Sequence, residues 1–221
     1  LLAVCALAGG GTGDDAVAQG GTFQFVSPGG KTVITYDPAD RKPVSGMSGP
    51  DVMTDATLSL ADERFAGKVV VVNVWGQWCG PCRGEADALE KSYATTKDSG
   101  VEFLGINLRD DRQSARDFIT DREVRYPSIY DFAGATLAAW KVPTAVLPTT
   151  IILDRHHRPA VVFLKSLTTD ELIPAIERVA AEEPVPGAPV ASTQAGSPGT
   201  RFPRRPPPPA PSPAPAPAGR R

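Results

Sequence analysis

The stretch WGQWCGPCRGE (residues 75–85) joins a predicted strand to a predicted helix and holds two cysteines, Cys79 and Cys82. The run VVVVNVW (residues 69–75) is dominated by β-branched residues, which is typical of a buried parallel strand. From Cys82 to about residue 97 the apolar side chains fall on one face of a helix, at Ala86, Leu89 and Tyr93. The cysteine pair is therefore predicted to lie where a strand ends and a helix begins.

This position gives the two sulfur atoms different chemistry. Cys79 is predicted at the helix N-terminus, where unpaired N–H groups and the positive end of the helix dipole stabilise a thiolate, the form that attacks disulfides. Cys82, one turn further on, can then attack the mixed disulfide and release the partner. Pro81 stiffens the bridge from the first turn, where its missing N–H costs nothing. We therefore predict Cys79 as the nucleophile and Cys82 as the resolving thiol.

A C-x-x-C pair can also be half of a zinc site or a structural disulfide. A zinc site needs a second pair of ligands, and the chain offers only Cys5, His156 and His157. Small extracellular domains stabilised by disulfides usually carry several, whereas this chain offers one pair. The strand before the pair and the helix after it favour redox catalysis.

The motif WCGPC resembles the active site of the thioredoxin superfamily, and its surroundings (residues 67–85) resemble the TlpA/ResA/DsbE branch, whose members are tethered to membranes outside the bacterial cytoplasm. Asn73 stands where cytoplasmic thioredoxins carry a buried aspartate, and Glu85 stands where this branch has a functional glutamate. The segment LPTTIILD (residues 147–154) is similar to the family's cis-proline strand. The resemblance covers about residues 50 to 181.

The resemblance implies an α/β thioredoxin fold, with a central mixed β-sheet flanked by helices and an N-terminal β-hairpin extension. It also implies a cis bond at Pro148 beside the cysteines, although Pro143 is a rival position. A cis bond exposes the backbone of Leu147 next to the reactive sulfur, where a substrate segment can pair as an added strand. Trp78, Leu147 and Pro148 form the implied substrate-binding surface.

Glu85 lies one helical turn beyond Cys82 on the same face. A carboxylate buried near sulfur is desolvated and can exchange a proton with Cys82. The alternative is an ordinary glutamate of the kind favoured near a helix N-terminus. The family resemblance favours the functional role.

Composition divides the chain into four parts. We expect a truncated leader or anchor segment with its linker, a hairpin with its loop, a thioredoxin-like domain and a disordered Pro/Ala-rich tail, over residues 1–20, 21–50, 51–183 and 184–221. The tail holds 13 of the 23 prolines and five of the 23 basic residues but no acid, which leaves 18 basic against 25 acidic residues elsewhere. Because the domain lacks a basic patch, we expect no nucleic-acid partner.

The run LLAVCALA (residues 1–8) is apolar but too short to span a bilayer, and it resembles the end of a signal-peptide hydrophobic region. Two Ala-x-Ala cleavage sites follow, at residues 6–8 and 16–18. Cys5 is a candidate for lipidation because LAVC resembles a lipobox, although Val4 is bulkier than usual there; the alternative is an apolar member of the leader. Export would put the cysteine pair in an oxidising compartment.

The remaining pattern alternates short strands with helices. We predict a hairpin of residues 22–26 and 31–36, a loop at 37–50, a strand at 57–60, a turn at 61–65, a strand at 101–107, a helix at 112–121, a helix at 134–140 and paired antiparallel strands at 149–153 and 160–165. The last of these strands is expected at the edge of the sheet.

Two local features carry further expectations. Thr168 and Glu171 form a capping box that opens the terminal helix. Pro174 inside that helix would cost about 3 kcal/mol, so we expect a kink or a later start. Residues 109–112 form a charge cluster at the end of a predicted strand, where α/β sheets often place active sites, but a solvated loop is the favoured interpretation.

The Gly-Pro dipeptide between the cysteines resembles that of reducing thioredoxins. By resemblance, such a reductant would act on disulfides of apocytochrome c before haem attachment, with electrons from a membrane thiol carrier of the CcdA or DsbD type. The alternatives are a disulfide-forming oxidase, a peroxide-reducing enzyme on the same fold and a copper-binding protein. Sco-type copper proteins use a C-x-x-x-C spacing with a distant histidine, and this chain lacks that spacing. We expect a monomer with no cofactor and no metal.

Overall fold

The structure, a computed structural model, describes residues 30–44, 46–140 and 146–182. The predictions for the leader with Cys5, for the first hairpin strand and for the proline-rich tail lie outside the described residues, as does Pro143. The described residues form eight strands and four α-helices. The strands are β1 Val33–Thr35, β2 Ser48–Pro50, β3 Thr57–Ser59, β4 Val69–Trp75, β5 Val101–Leu108, β6 Ser128–Asp131, β7 Thr149–Leu153 and β8 Pro159–Phe163. The helices are α1 Gly80–Thr96, α2 Arg112–Asp121, α3 Ala135–Ala139 and α4 Thr169–Ala180.

Six strands form one mixed sheet in the order β1-β8-β7-β4-β5-β6. β4, β5 and β6 run parallel, and β7, β8 and β1 continue the sheet with antiparallel pairing. The β4–β5 ladder ends at Trp75↔Asn107, and the β4–β7 ladder ends at Val74↔Thr149. The start of β7 therefore lies at the same edge of the sheet as the ends of β4 and β5. The predicted mixed sheet flanked by helices is confirmed.

β4 is the centre of the core, and every one of its residues is buried. Its even-numbered valines pack on one face of the sheet, in a cluster with Phe65 and Trp140. Val69 and Val71 pack on the other face with the apolar sides of α1 and α4. Side chains packed on both faces explain why this strand is continuously apolar rather than alternating.

The predicted edge strand is not at the edge. β8 pairs with β7 as expected, but β1 pairs with its other side through Val33↔Phe163 and Thr35↔Val161. All five residues of β8 are buried, so an uncovered β8 would leave an apolar strand with unpaired backbone groups at the sheet edge. The second strand of the predicted hairpin, β1, is thus the edge strand next to β8. Its predicted hairpin partner lies outside the described residues.

A separate two-stranded sheet, formed by β2 and β3, precedes β4. The strand predicted at residues 57–60 is confirmed as β3, but its partner β2 lies within the segment predicted as a loop. The turn predicted at residues 61–65 contains a short 3-10 helix, Glu63–Phe65. Asp51 forms an isolated bridge to Ile129, which joins this small sheet to β6.

The predicted helix at residues 112–121 is confirmed as α2. α4 begins directly after Thr168, the N-cap residue of the predicted capping box, whose N–H donates to the Glu171 carboxylate at 3.1 Å. Pro174 lies inside α4, so the expected later start is wrong. The buried stripe of the helix, which includes Leu172 and Ile176, outweighs the missing N–H. No helix among the described residues is both long and apolar enough to cross a bilayer.

We predict that Pro174→Ala stabilises the protein. The new N–H can donate to the carbonyl of Asp170, and loss of the ring removes its clash, so the free energy of unfolding should rise by about 1–3 kcal/mol. Urea unfolding followed by circular dichroism measures this. An unchanged or lower free energy of unfolding would contradict it.

Candidate active site

The two cysteines form a disulfide at the start of α1. Cys79 is the N-cap residue, and its Sγ accepts a hydrogen bond from the Cys82 N–H at 3.2 Å. Pro81 lies in the first turn, as expected. The same N–H, together with the positive end of the helix, would face a thiolate on Cys79 after reduction. Both cysteines are buried, with exposed fractions of 5% and 4%.

An apolar cluster surrounds the disulfide. Besides the cysteines it contains Trp75 from the end of β4, Val52 from the turn after β2, and Ala115 and Ile119 from α2. These α2 residues belong to the apolar face that the sequence predicts. Because this packing removes water from the sulfur atoms, charges near them act more strongly.

The peptide bond between Leu147 and Pro148 is cis, at the position the family resemblance implies. Pro148 is buried directly before β7, and Leu147 is half-buried against the cluster that holds the cysteines. Because β7 is antiparallel to β4, its first residue lies at the sheet edge from which Cys79 projects. The fold thus brings the cysteine pair and the cis-proline together.

Glu85 is 1% exposed, and both of its carboxylate oxygens are hydrogen-bonded. Asn73 Nδ2 donates to Oε1 at 3.0 Å, and the Leu167 N–H donates to Oε2 at 2.9 Å. Burial raises the pKa of Glu85 to about 7, although these two hydrogen bonds act in the opposite direction. The carboxyl group can therefore gain or lose a proton near neutral pH. Asn73, which donates to Glu85, and Cys82 line the same small cavity.

The loop between β4 and α1 holds Trp78, which is 53% exposed. Its indole Nε1 donates to the carbonyl of Leu108, at the end of β5, at 3.2 Å. The ring lies so close to Gly76 that a Cβ there would stand 2.6 Å from Nε1, so only glycine fits without a shift. Trp78 is thus an exposed aromatic side chain directly before Cys79 in sequence, and its contact with substrate stays a prediction.

Asp110 was expected in a solvated loop, and this expectation is wrong. Asp110 is 2% exposed, and its Oδ2 accepts hydrogen bonds from the Gln77 N–H at 2.6 Å and from Asn107 Nδ2 at 2.8 Å. The sequence signal that could have identified it is its place after a parallel strand adjacent to β4, at the edge where α/β sheets position active-site groups.

The histidines do not join the cysteines. His156 and His157 lie in the turn between β7 and β8, where His157 Nε2 contacts the carbonyl of Phe65 at 2.9 Å. Among the described residues, no three His, Cys, Asp or Glu side chains are grouped so that they could hold a metal ion. The geometry thus offers no support for the zinc or copper alternatives within that part of the chain.

A disulfide at a helix N-terminus, a cis-proline beside it and this order of strands define a thioredoxin-fold thiol-disulfide oxidoreductase. The family model described as Redoxin matches residues 44–175. The chain belongs to the Redoxin family, among the ResA/DsbE-like thiol-disulfide oxidoreductases of the thioredoxin superfamily.

Individual relatives support this assignment. The chain is 29% identical over 155 residues to the thiol-disulfide oxidoreductase ResA of Geobacillus kaustophilus, a match that covers 68% of this chain and 87% of that protein. A secreted thiol-disulfide isomerase from Corynebacterium glutamicum is 44% identical, with a TM-score of 0.70 over 74% of this chain and 100% of that one. A DsbF homologue from Corynebacterium diphtheriae is 48% identical, with a TM-score of 0.67 over 72% of this chain and 99% of that one.

We predict that Glu85→Gln changes how stability depends on pH. The pKa of Glu85 rises from its usual 4.5 to about 7 on folding, so the folded state binds the extra proton between these values and wild-type stability falls as pH rises. Glutamine removes this loss, which is on the order of 3 kcal/mol. Urea unfolding of the oxidised protein from pH 4 to about 8 measures it.

The variant should therefore gain stability over the wild type as pH rises through this window. The matched control is Glu63→Gln, which changes an exposed glutamate and should leave the wild-type slope in place. A stability difference between Glu85→Gln and the wild type that stays constant with pH would show that burial does not raise the pKa of Glu85.

Proposed function

We propose that the protein is an exported thiol-disulfide oxidoreductase that reduces disulfides of proteins outside the bacterial cytoplasm. The observation that carries this proposal is the Cys79–Cys82 disulfide at the N-terminus of α1, beside the cis bond before Pro148. The secreted relative from Corynebacterium glutamicum supports the extracytoplasmic location. The leader-like run at residues 1–8 supports export, and Cys5 is the proposed lipid anchor if the mature protein retains it.

In the proposed reaction the Cys79 thiolate attacks one sulfur of the substrate disulfide. A Cys79–substrate bond forms, and the other substrate sulfur leaves as a thiolate that takes up a proton. Cys82 then loses its proton and attacks Cys79, so that the Cys79–Cys82 disulfide forms and the second substrate sulfur is released. Two electrons pass to the substrate.

Glu85 is the proposed acid-base group of this sequence. The carboxylate accepts the proton that Cys82 loses, because a pKa of about 7 lets it exchange protons near neutral pH. Asn73 and the Leu167 N–H hold the carboxylate in place. This role requires the proton to pass between Glu85 and the cavity that Cys82 lines.

The proposed docking surface consists of Trp78, Leu147 and Pro148. A substrate segment would pair as an added strand with the backbone of Leu147, which the cis bond leaves next to the cysteines. The exposed ring of Trp78, directly before Cys79 in sequence, supplies apolar contact area on the same surface. Main-chain pairing is independent of side-chain identity, which suits an enzyme that meets several unfolded proteins.

Apocytochrome c is the proposed substrate, by analogy with the ResA branch, and a membrane thiol carrier of the CcdA or DsbD type is the proposed electron donor. The protein is proposed to act as a monomer. The second candidate function is formation or isomerisation of disulfides, which the isomerase relative favours at 44% identity. The reduction potential of the cysteine couple decides between them: about −270 mV supports the reductant, and about −120 mV supports an oxidant.

We predict that the two cysteines behave differently when each is replaced by serine. Cys82→Ser leaves a nucleophile without a resolving thiol and should accumulate mixed disulfides with substrate, whereas Cys79→Ser should accumulate far fewer because the remaining thiol is not the helix N-cap. Non-reducing gels of the secreted fraction, followed by mass spectrometry of the trapped partners, measure this. Equal trapping by both variants would contradict the assigned roles.

A further inference from the structure

We propose that Asp110 is a positioning residue of the active site, whose carboxylate holds the 76–78 loop and thereby fixes the ring of Trp78 for docking of a polypeptide disulfide. The inference rests on the proposed function, in which Trp78 contacts substrate. Asp110 lies beyond the cysteine motif in sequence and acts through the loop, not on the reacting sulfur atoms.

The loop is tied to the end of β5 at two consecutive residues. The Gln77 N–H donates to Asp110 Oδ2 at 2.6 Å, and the Trp78 indole donates to the carbonyl of Leu108 at 3.2 Å. The Cys79 N–H donates to the carbonyl of Gly76 at 3.0 Å, which closes the turn directly before α1. A shift of the Gln77 amide would therefore move the residues on both sides of it, including the aromatic ring.

The carboxylate is in an unusual environment for a buried charge. Its two side-chain hydrogen bonds come from neutral groups, the Gln77 N–H and the Asn107 amide, and it makes no ion pair within the described residues. Arg112, a nearby cation, pairs with Asp55 and stacks over the Tyr130 ring at 4.5 Å. A charged acceptor forms a stronger hydrogen bond to a backbone N–H than a neutral one, which offsets part of the cost of burying it.

The backbone before Asp110 is also held in a costly conformation. Arg109 has a φ of 49°, in the left-handed region that non-glycine residues seldom adopt. The Tyr130 hydroxyl donates to the carbonyl of Asp110 at 2.9 Å and fixes the turn from the β6 side. Both features fix the turn that carries Asp110, whose side chain contacts the cysteine loop. This supports a positioning role for the turn.

A fixed ring makes docking more favourable, because little side-chain freedom is then lost when substrate binds. This matters for a polypeptide, which would contact Trp78, and not for a small disulfide that reaches only the sulfur atoms. We therefore expect the reaction rates with two substrates to respond differently. Removing the Asp110 carboxylate should slow the reaction with a disulfide-bonded polypeptide and spare the reaction with cystine.

The test uses the reduced full chain and compares Asp110→Ala with Asp110→Asn. Asparagine can restore both contacts, because the Gln77 N–H and Asn107 Nδ2 donate to the same carboxylate oxygen, Oδ2, and the asparagine Oδ1 can take its place. Asp111→Asn is the matched control, because Asp111 is exposed and caps α2 through the Ser114 N–H.

We expect Asp110→Ala to lower the second-order rate constant with insulin about tenfold and that with cystine less than about twofold, and Asp110→Asn to recover most of the insulin rate. Iodide quenching of fluorescence should increase in Asp110→Ala, since Trp78 is exposed while Trp75 and Trp140 are buried. Gly76→Ala, which places a Cβ against the indole, should reproduce the insulin defect with Asp110 intact.

Thermal melting identifies any variant that fails to fold. If Asp110→Ala does not fold, Asp110→Asn and Gly76→Ala provide the test. Equal loss with insulin and cystine, no loss with either, or a folded Asp110→Asn as impaired as Asp110→Ala would each overturn the positioning role. Failure of the proposed function has a different result, since the wild type itself would then reduce neither disulfide.

Discussion

The parallel pairing of β4 with β5 is the constraint on which the site depends. It aligns the carboxyl ends of two strands, so the loop that carries Cys79 and the loop that carries Asp110 leave the sheet side by side. Antiparallel pairing with β7 then brings the start of that strand, and with it Pro148, to the same edge. Groups about 70 residues apart in sequence thus meet because backbone hydrogen bonds fix the register of a buried strand.

β4 also contributes to the environment of Glu85 on α1. Asn73 projects from the middle of β4 and donates both to Glu85 and to Thr150 Oγ1 on β7, so the sheet fixes its orientation. The Leu167 N–H reaches the other carboxylate oxygen from the segment before α4. Two hydrogen bonds lower the pKa of the acid, but burial has the larger effect and raises it. The result is a group that exchanges protons near neutral pH.

The sequence predicts the elements whose signals are local. β4, α1, α2 and the capping box at Thr168 follow from apolar periodicity and cap residues within about ten positions. β1 at the edge of the sheet could not be predicted, because it depends on pairing with β8, about 130 residues away. The burial of Asp110 likewise depends on two loops meeting in space. Pro174 stays inside α4 because tertiary packing of the helix outweighs its propensity.

The charges around the cysteines bear on the direction of the reaction. The helix N-terminus and the Cys82 N–H favour a thiolate on Cys79. One buried carboxyl group opposes them: Glu85, one turn beyond Cys82. A strong oxidant owes its potential to a stabilised reduced form, and negative charge near the thiolate destabilises that form. Because burial raises the pKa of Glu85 to about 7, its carboxyl group carries negative charge above about neutral pH, which supports the proposed reductant over the oxidant.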